Sequence, residues 1–277
     1  MAYGGIVDSA TNTFVYKHIA AGNGGRLFNT SDIASWTSLT SPVTTDLYAA
    51  EFAFAKFIAV GAGGKIVSSA DSQTWSETTS VTTQNLNAIA SNGSSVVAVG
   101  DNGSIITTTD AITWKVATSV PSSTPHLYGV NFSNANSGKW VAVGAGGTVL
   151  TSTDGLTWTT QTSGITADLK AIGSNSTYLN GVTTYNFVAV GAAGTVLTSP
   201  DAITWTRQSL STTTSLNALS YVNQFMVVGN SGTIMTSPDG VTWTTRTSNT
   251  TENLTTLTRA NNQYIAVSDS GKIIYSK

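Results

Sequence analysis

The chain repeats one short segment seven times, and this repetition constrains its fold more than any other feature. The seven copies read HIAAGNGGRLF, FIAVGAGGKIV, VVAVGDNGSII, WVAVGAGGTVL, FVAVGAAGTVL, FMVVGNSGTIM and YIAVSDSGKII. The position they share recurs at steps of 39, 39, 44, 47, 38 and 39 residues, at Gly22, Gly61, Gly100, Gly144, Gly191, Gly229 and Ser268. A period near 40 residues with Val- and Ile-rich content is typical of β-repeat architectures whose repeats stack on their neighbours.

Each copy is predicted to form two short antiparallel strands joined by a tight turn. Turns such as Asn102-Gly103 and Gly146-Gly147 supply the positive φ angles that a tight hairpin requires. A strand with the pattern Leu-x-Ala-Ile precedes the pair, as at 86–89, and a Trp-led strand follows every pair except the last, as at 158–161. A four-stranded meander cannot bury both of its faces alone. We therefore predict an all-β fold, a seven-bladed β-propeller of four-stranded antiparallel blades.

The repeat limits predict a single propeller domain over residues 1–277. The repeats cover approximately 3–40, 46–79, 85–118, 126–162, 168–208, 215–247 and 253–277. The seventh repeat reaches Lys277 before a Trp-led strand, so we expect three strands in the last blade. Its open edge could receive a strand from another chain, stay short and exposed, or pair with the N-terminal strand.

Composition excludes several classes of function. The 12 basic residues are scattered, the formal net charge is −2, and only 9% of residues are charged, so a nucleic-acid partner is not expected. The chain has no cysteine, and its GAGG turns do not begin a helix that could hold a dinucleotide. We predict no metal and no cofactor. The N-terminal segment does not resemble a signal peptide and no long apolar run is present, so we expect synthesis in the cytoplasm without membrane insertion.

A second motif follows six of the seven repeats. The segments TSDIASW, SADSQTW, TTDAITW, STDGLTW, SPDAITW and SPDGVTW place an aspartate four residues before a tryptophan. The aspartates are Asp32, Asp71, Asp110, Asp154, Asp201 and Asp239, and the tryptophans are Trp36, Trp75, Trp114, Trp158, Trp205 and Trp243. The motif resembles the Asp-box, or BNR repeat, of sialidase-type propellers. We interpret these residues as structural, because an aspartate at a turn accepts backbone N–H groups and a tryptophan covers the seam between sheets.

A calcium site is the functional alternative for these aspartates. Each turn offers one carboxylate, whereas calcium takes six to eight oxygen ligands. The turn pattern therefore favours the structural interpretation.

The whole repeat, VG-x-x-G-x-[IV]-x-x-[ST]-x-D-x-x-T-W, also resembles that of the photosystem II stability and assembly factor. This resemblance implies a seven-bladed propeller that binds a protein partner. Members of that family tend to carry a basic patch and an export signal, and this chain shows neither.

The sialidase resemblance would imply an arginine triad, a Tyr–Glu nucleophile pair and an aspartic acid. The chain has four arginines, three glutamates and two histidines, and they stand at unrelated positions of their repeats: Arg26, Arg207, Arg246, Arg259, Glu51, Glu77, Glu252, His18 and His126. We therefore predict a protein that is not an enzyme, with glycoside hydrolysis as the third alternative.

The candidate ligand-binding residues are those that vary between repeats. In the Leu-x-Ala-Ile strand the x position is Tyr48, Asn87, Tyr128, Lys170 and Asn217, and we align Tyr3 and Thr255 with it. Enlarged connections at 131–139 and 174–186 add Tyr178 and Tyr185. Aromatic and amide side chains suit sugar recognition, although variable filler and neutral loop drift explain the same pattern.

These observations favour a non-catalytic binding or structural module. The neutral, Thr- and Ser-rich surface favours a bacteriophage virion protein of the tail, fibre or capsid decoration, acting in assembly or in adhesion to host-surface glycans. The alternatives are a free bacterial lectin and a protein-binding propeller like the photosystem assembly factor. The expected partners are other protein chains, reached through the open edge of the last blade, or surface glycans, and the expected location is a virion or an extracellular surface.

Overall fold

The protein is an all-β seven-bladed propeller, as the repeats predict. The computed structural model describes residues 1–8, 13–122, 125–134, 138–260 and 263–275, and only the backbone of residues 8, 179, 259 and 260. Six antiparallel sheets have four strands and the seventh has three among these residues. The described residues contain no α-helix, so none of them forms a helix that could cross a membrane.

The chain divides into two compact units. Unit 1 contains 1–127 and 155–157, and unit 2 contains 128–154 and 158–277. The prediction of one domain over 1–277 stays a prediction.

The first three blades belong to unit 1. Blade 1 consists of β1 (Ala2–Asp8), β2 (Thr13–Ala21), β3 (Leu27–Thr30) and β4 (Thr37–Leu39). Blade 2 consists of β5 (Leu47–Ala53), β6 (Lys56–Gly61), β7 (Ile66–Ser69) and β8 (Ser76–Thr78). Blade 3 consists of β9 (Leu86–Ser91), β10 (Val96–Gly100), β11 (Ile105–Thr108) and β12 (Lys115–Val116).

The last four blades contain the remaining strands. Blade 4 consists of β13 (Leu127–Ser133), β14 (Lys139–Gly144), β15 (Val149–Ser152) and β16 (Thr159–Gln161). Blade 5 consists of β17 (Leu169–Leu179), β18 (Val182–Gly191), β19 (Val196–Ser199) and β20 (Thr206–Gln208). Blade 6 consists of β21 (Leu216–Tyr221), β22 (Phe225–Gly229), β23 (Ile234–Ser237) and β24 (Thr244–Arg246), and blade 7 of β25 (Leu254–Ala260), β26 (Gln263–Ser268) and β27 (Ile273–Tyr275).

The second strand of the blades forms the core. In β6 the residues Phe57 and Ala59 pack against blade 1, whereas Ile58 and Val60 pack against blade 3. Since alternate side chains point to opposite faces and both faces meet another sheet, the strand is apolar throughout instead of alternating with polar residues. In unit 2, Val188 of β18 packs in the same way against blade 6.

The turn after the second strand is a three-residue 3-10 turn in six blades. These turns are Asn23–Gly25, Ala62–Gly64, Asp101–Gly103, Ala145–Gly147, Ala192–Gly194 and Asn230–Gly232. The third residue needs glycine for two reasons, as Gly64 shows. Its φ is +73°, and a Cβ there would collide with the carbonyl oxygen of Thr82. The sequence predicted the positive φ angles but not the close approach.

The segments 30–36, 69–75, 108–114, 152–158, 199–205 and 237–243, called here the Asp–Trp turns, connect the third and fourth strands. In the third of them Asp110 Oδ1 accepts the backbone N–H groups of Ile112 at 2.8 Å and Thr113 at 2.7 Å. The hydroxyl of Thr108 donates to the same carboxylate at 2.9 Å. These hydrogen bonds lower the pKa of Asp110 to about 2.

Two hairpins extend beyond the common blade length. The β1–β2 hairpin pairs as far as Asp8 and Thr13, and the β17–β18 hairpin pairs as far as Leu179 and Val182. The second extension is the enlarged connection predicted at 174–186. Residues 135–137 of the other enlarged connection, including Asn136, lie outside the described residues.

The alignment of Tyr3 with Tyr48 is wrong. Tyr3 pairs with His18, four residues before Gly22, which is the position where Phe52 pairs with Phe57 in blade 2. A glycine-rich strand such as β1 has no Leu-x-Ala pattern to set its register, so the sequence alone left the alignment four residues off.

Candidate functional site

The variable x residues of five blades stand at β-bulges. The strand register shifts between Leu47 and Ala49, and also where β9, β17, β21 and β25 begin, so each x residue lies opposite no partner. A bulge turns a side chain away from the regular pleat and often lies beside a functional site. The simple alternation that predicted one shared face for these residues therefore does not describe them.

Four of the x residues of unit 2 line one pocket, called here the unit 2 pocket. It has a volume of about 540 Å³ and is lined by Tyr128, Asp168, Lys170, Asn217, Asn230, Asn253, Thr255 and Asp269. The lining carries one cation, two carboxylates and three amides. It therefore offers hydrogen-bond donors and acceptors in a small space with little net charge.

Asn217, which lines this pocket, is hydrogen-bonded to the 3-10 turn of its own blade and to the first strand of the next blade. Its Nδ2 donates to Asn230 Oδ1 at 2.7 Å and to the carbonyl of Leu254 at 2.9 Å. The Lys170 ammonium lies 3.5 Å from Asn217 Oδ1, a weak contact that leaves the lysine able to turn toward a ligand. Both partners of Asn217 are thus internal, while Lys170 is held loosely.

The two carboxylates of the pocket also have internal partners. Asp168 Oδ1 accepts the backbone N–H of Gly146 at 2.9 Å, and Asp269 Oδ2 accepts from Asn253 Nδ2 at 3.1 Å. Sequence reasoning missed Asp168, Asn230, Asn253 and Asp269. The signal was their place directly before the first strand or directly after the second strand of a blade, since both positions recur in the repeat.

Tyr48 and Asn87 lie in unit 1, in a second group that we call the unit 1 cluster. Its members are Asp46, Tyr48, Asn85, Asn87, Asp101 and His126. Asn87 Nδ2 donates to Asp101 Oδ1 and to the carbonyl of Leu127, both at 2.9 Å. This is the bonding pattern of Asn217, with an aspartate in place of Asn230.

Asp101 is the centre of the unit 1 cluster. It accepts from Asn85 Nδ2 at 2.9 Å, and His126 Nδ1 lies 3.0 Å from its Oδ1. These side-chain hydrogen bonds outweigh the effect of burial and lower the pKa of Asp101. Burial and the nearby carboxylates of Asp46 and Asp101 raise the pKa of the Tyr48 phenol. The sequence had placed His126 in an unrelated setting, whereas the fold pairs it with this carboxylate.

Tyr178 and Tyr185 line neither group. Tyr178 is 74% exposed near the tip of the β17–β18 hairpin. Tyr185 is partly buried and packs against a core cluster that includes Phe187. Their roles as ligand residues stay predictions. Among the described residues no three His, Cys, Asp or Glu side chains gather as metal ligands.

Comparisons with known proteins give a fold and no family. No protein-family model matches the chain, and no curated protein sequence does. Among solved structures, "YCF48 bound to D1 peptide" aligns with a TM-score of 0.71 at 19% identity, covering 99% of this chain and 94% of that one. YCF48 from Cyanidioschyzon merolae aligns with a TM-score of 0.68 at 14% identity, over 99% of this chain and 94% of that chain.

The WD40 β-propeller domain of Doa1 aligns with a TM-score of 0.71 at 11% identity, over 100% of this chain and 92% of that chain. YCF48 is a photosystem II assembly factor, so the solved structures agree with the second resemblance seen in the repeats. The solved structures do not test the resemblance of the Asp–Trp turns to the Asp-box. Because the identities are below 20%, these alignments show a shared propeller fold and nothing further.

Proposed function

We propose that this chain is a non-catalytic propeller that binds a segment of a partner protein in the unit 2 pocket. The observation that carries the proposal is the convergence of Tyr128, Lys170, Asn217 and Thr255 from four blades on one polar pocket. These are the positions at which the repeats differ, in contrast to the packed positions of the blades, which stay alike.

The chemistry of the pocket suits a polypeptide. A peptide backbone presents alternating N–H and C=O groups, and the pocket offers both amide donors and carboxylate or amide acceptors. A volume of about 540 Å³ accommodates a few residues of extended chain. A similar propeller fold has been solved as "YCF48 bound to D1 peptide", which supports a peptide as the ligand.

The absence of catalysis in this proposal rests on the carboxylates. Asp168 and Asp269 both hold structural hydrogen bonds, one to a backbone N–H and one to an amide. A general acid or base must reach the proton it transfers, and one oxygen of each carboxylate is already held by the protein, which leaves the other to accept a hydrogen bond from a ligand.

The test is selection of a displayed library of random 12-residue peptides on the whole purified chain. We expect the library to yield peptides that bind with micromolar affinity. Lys170→Ala should weaken them at least tenfold, because it removes the one loosely held cation of the pocket. Lys115→Ala, at an exposed lysine of β12 in unit 1, is the matched control and should leave binding unchanged.

Three results would overturn the proposal. The library could yield no binder, the binders could ignore Lys170→Ala, or a glycan array could show a Lys170-dependent sugar ligand in place of peptides. The last result would favour the lectin alternative. Membership of a virion stays a prediction from the sequence.

A further inference from the structure

One face of the β1–β2 hairpin carries a row of exposed aromatic side chains. The register pairs Tyr3 with His18, Gly5 with Tyr16, and Val7 with Phe14. Alternate residues share a face, so all six lie on the same side of the hairpin. Tyr3, Phe14, Tyr16 and Val7, called here the aromatic row, are 44, 63, 55 and 56% exposed.

The rings of the row contact one another. The Tyr3 and Tyr16 rings stack with centroids 5.3 Å apart at 15°, and Phe14 meets Tyr16 edge-on at 5.3 Å. Gly5 makes room for them, because a Cβ there would collide with the Phe14 ring and lie 3.2 Å from the Tyr16 ring. The row is therefore a platform of contacting rings that lies over Gly5.

His18 lies at the inner end of this platform. Its ring stacks on Tyr3 with centroids 4.4 Å apart, and only 2% of the residue is exposed. Burial lowers the pKa of His18 to about 4, and its Nε2 has no hydrogen-bond partner among the described residues. The imidazole of His18 is thus uncharged at neutral pH.

The size and charge of the row select its occupant. An aromatic side chain presents roughly 200 Å² of surface, and about half of each of the three rings in the row is exposed. The row therefore offers a ligand a few hundred Å². A stable protein partner covers about 800 Å² on each side. None of the six residues on this face is an acid or a lysine or arginine, and the neighbouring Lys17 donates to Ser31 Oγ at 2.8 Å. A small, neutral ligand with a flat apolar face fits these limits.

We propose that the aromatic row binds neutral hexopyranose rings of a glycan. The axial C–H groups of a pyranose form a flat apolar face that packs on the electron-rich face of an aromatic ring. The sugar hydroxyls at the ring edge can pair with the phenol groups of Tyr3 and Tyr16. The site is independent of the unit 2 pocket.

The experiment is an array of neutral hexose oligosaccharides probed with the whole chain, followed by titration calorimetry on the sugars that bind. We expect Tyr16→Ala and Phe14→Ala each to weaken binding at least tenfold. Tyr16→Phe should retain the stacking and lose only the hydroxyl contact, a severalfold effect. Val116→Ala is the matched control, since Val116 is 54% exposed on β12 of unit 1 but lies outside the row and outside both candidate groups.

The side chains are exposed, so these variants should keep the parent's melting temperature, and each is checked for it. The proposal is overturned if no neutral sugar binds, or if bound sugars ignore both Tyr16→Ala and Phe14→Ala. It is also overturned if sugar binding is lost with Lys170→Ala instead, since the ligand then occupies the unit 2 pocket. The first two results leave the peptide proposal intact, because its test uses peptides and Lys170→Ala, whereas a Lys170-dependent sugar would overturn both proposals.

Discussion

The Asp–Trp turns and the strand starts behave in opposite ways across the blades. In the turns the residues stay alike and so do their bonds, as the hydroxyl and carboxylate of Thr108–Asp110 and of Ser199–Asp201 show. At the strand starts the bulged backbone is shared, but the side chain is a tyrosine, an asparagine, a lysine or a threonine. Constant residues therefore mark the bonds that hold a blade, and varied residues on a constant backbone mark the positions at which we propose that ligands bind.

The largest expected effect on stability is in an Asp–Trp turn. Asp201 Oδ1 accepts the N–H groups of Ile203 and Thr204 and the hydroxyl of Ser199. Asp201→Ala leaves three donors without this acceptor and should lower the free energy of unfolding by about 3 kcal/mol, roughly 1 per hydrogen bond. Urea unfolding at pH 7 measures it.

Asp201→Asn is the control for that variant, because it keeps an oxygen acceptor and should lose much less. The same bonds lower the pKa of Asp201 below its usual value of 3.8. Their contribution is therefore present above pH 4 and should be lost as the pH falls below that value. A change of less than 0.5 kcal/mol in Asp201→Ala would contradict the structural role of the turn.

The next largest effect on stability concerns His18, which departs from the residue type found at the same position of other blades. His18 stands four residues before the shared glycine, where Phe57, Trp140 and Phe225 fill other blades. Its pKa of about 4 lies below the ordinary 6.5, so the unfolded chain takes up the proton first. Stability should therefore fall as the pH drops from 6.5 to 4, by about 2 kcal/mol at pH 5.

His18→Phe should remove this loss and restore the common aromatic residue. Urea midpoints at pH 5 and pH 7.5 check it. The difference between variant and parent isolates His18, because burial raises the pKa of Glu51 to about 7 in both and gives the opposite slope between pH 4.5 and 7. Equal slopes in variant and parent would contradict the assignment.

A smaller effect tests whether a varied position can still be structural. Asn217→Ala removes two hydrogen bonds, one of them to the backbone carbonyl of Leu254. Asn87→Ala removes the equivalent pair in unit 1. Each should cost about 1.5 kcal/mol in urea unfolding. Unequal costs would show that the shared geometry does not set the energy.

The 3-10 turns allow a reciprocal test of about 1 kcal/mol. The middle residue has positive φ in each turn, and it is Ala193 in blade 5 but Gly146 in blade 4, where a Cβ would meet nothing within 4 Å. Ala193→Gly should stabilise the chain by about 1 kcal/mol, and Gly146→Ala should destabilise it by a similar amount. Thermal melts of both variants measure the pair, and a shared sign would refute the strain argument.

The smallest effect on stability belongs to the ligand surface. Lys170→Ala should change the free energy of unfolding by less than about 0.5 kcal/mol, because its ammonium makes only a 3.5 Å contact. The same variant should lose peptide binding at least tenfold. A large loss of stability would show that Lys170 has a structural role. It would weaken the contrast between the constant turn residues and the varied residues at the strand starts.

Local patterns in the sequence predicted most of the fold. The Val- and Ile-rich strand pairs and the turn aspartates each depend on residues within about ten positions of one another, and the shared glycine repeats them at steps of 38 to 47 residues. Strand pairing within a blade is set by such short-range rules, so the seven sheets and their order followed from the chain alone. The wrong alignment of Tyr3 with Tyr48 is the exception, since no local pattern sets the register of β1.

The sequence by itself determined the repeating blade, because the backbone hydrogen bonds of a blade join strands that follow each other along the chain. Only the tertiary structure decided which blades bring Tyr128, Lys170 and Asn217 to one pocket, and that His126 lies 3.0 Å from Asp101. These contacts join residues 25 or more positions apart, and the bulge that aims each side chain arises from pairing with the next strand. Packing between sheets, which no local pattern encodes, therefore placed the candidate sites.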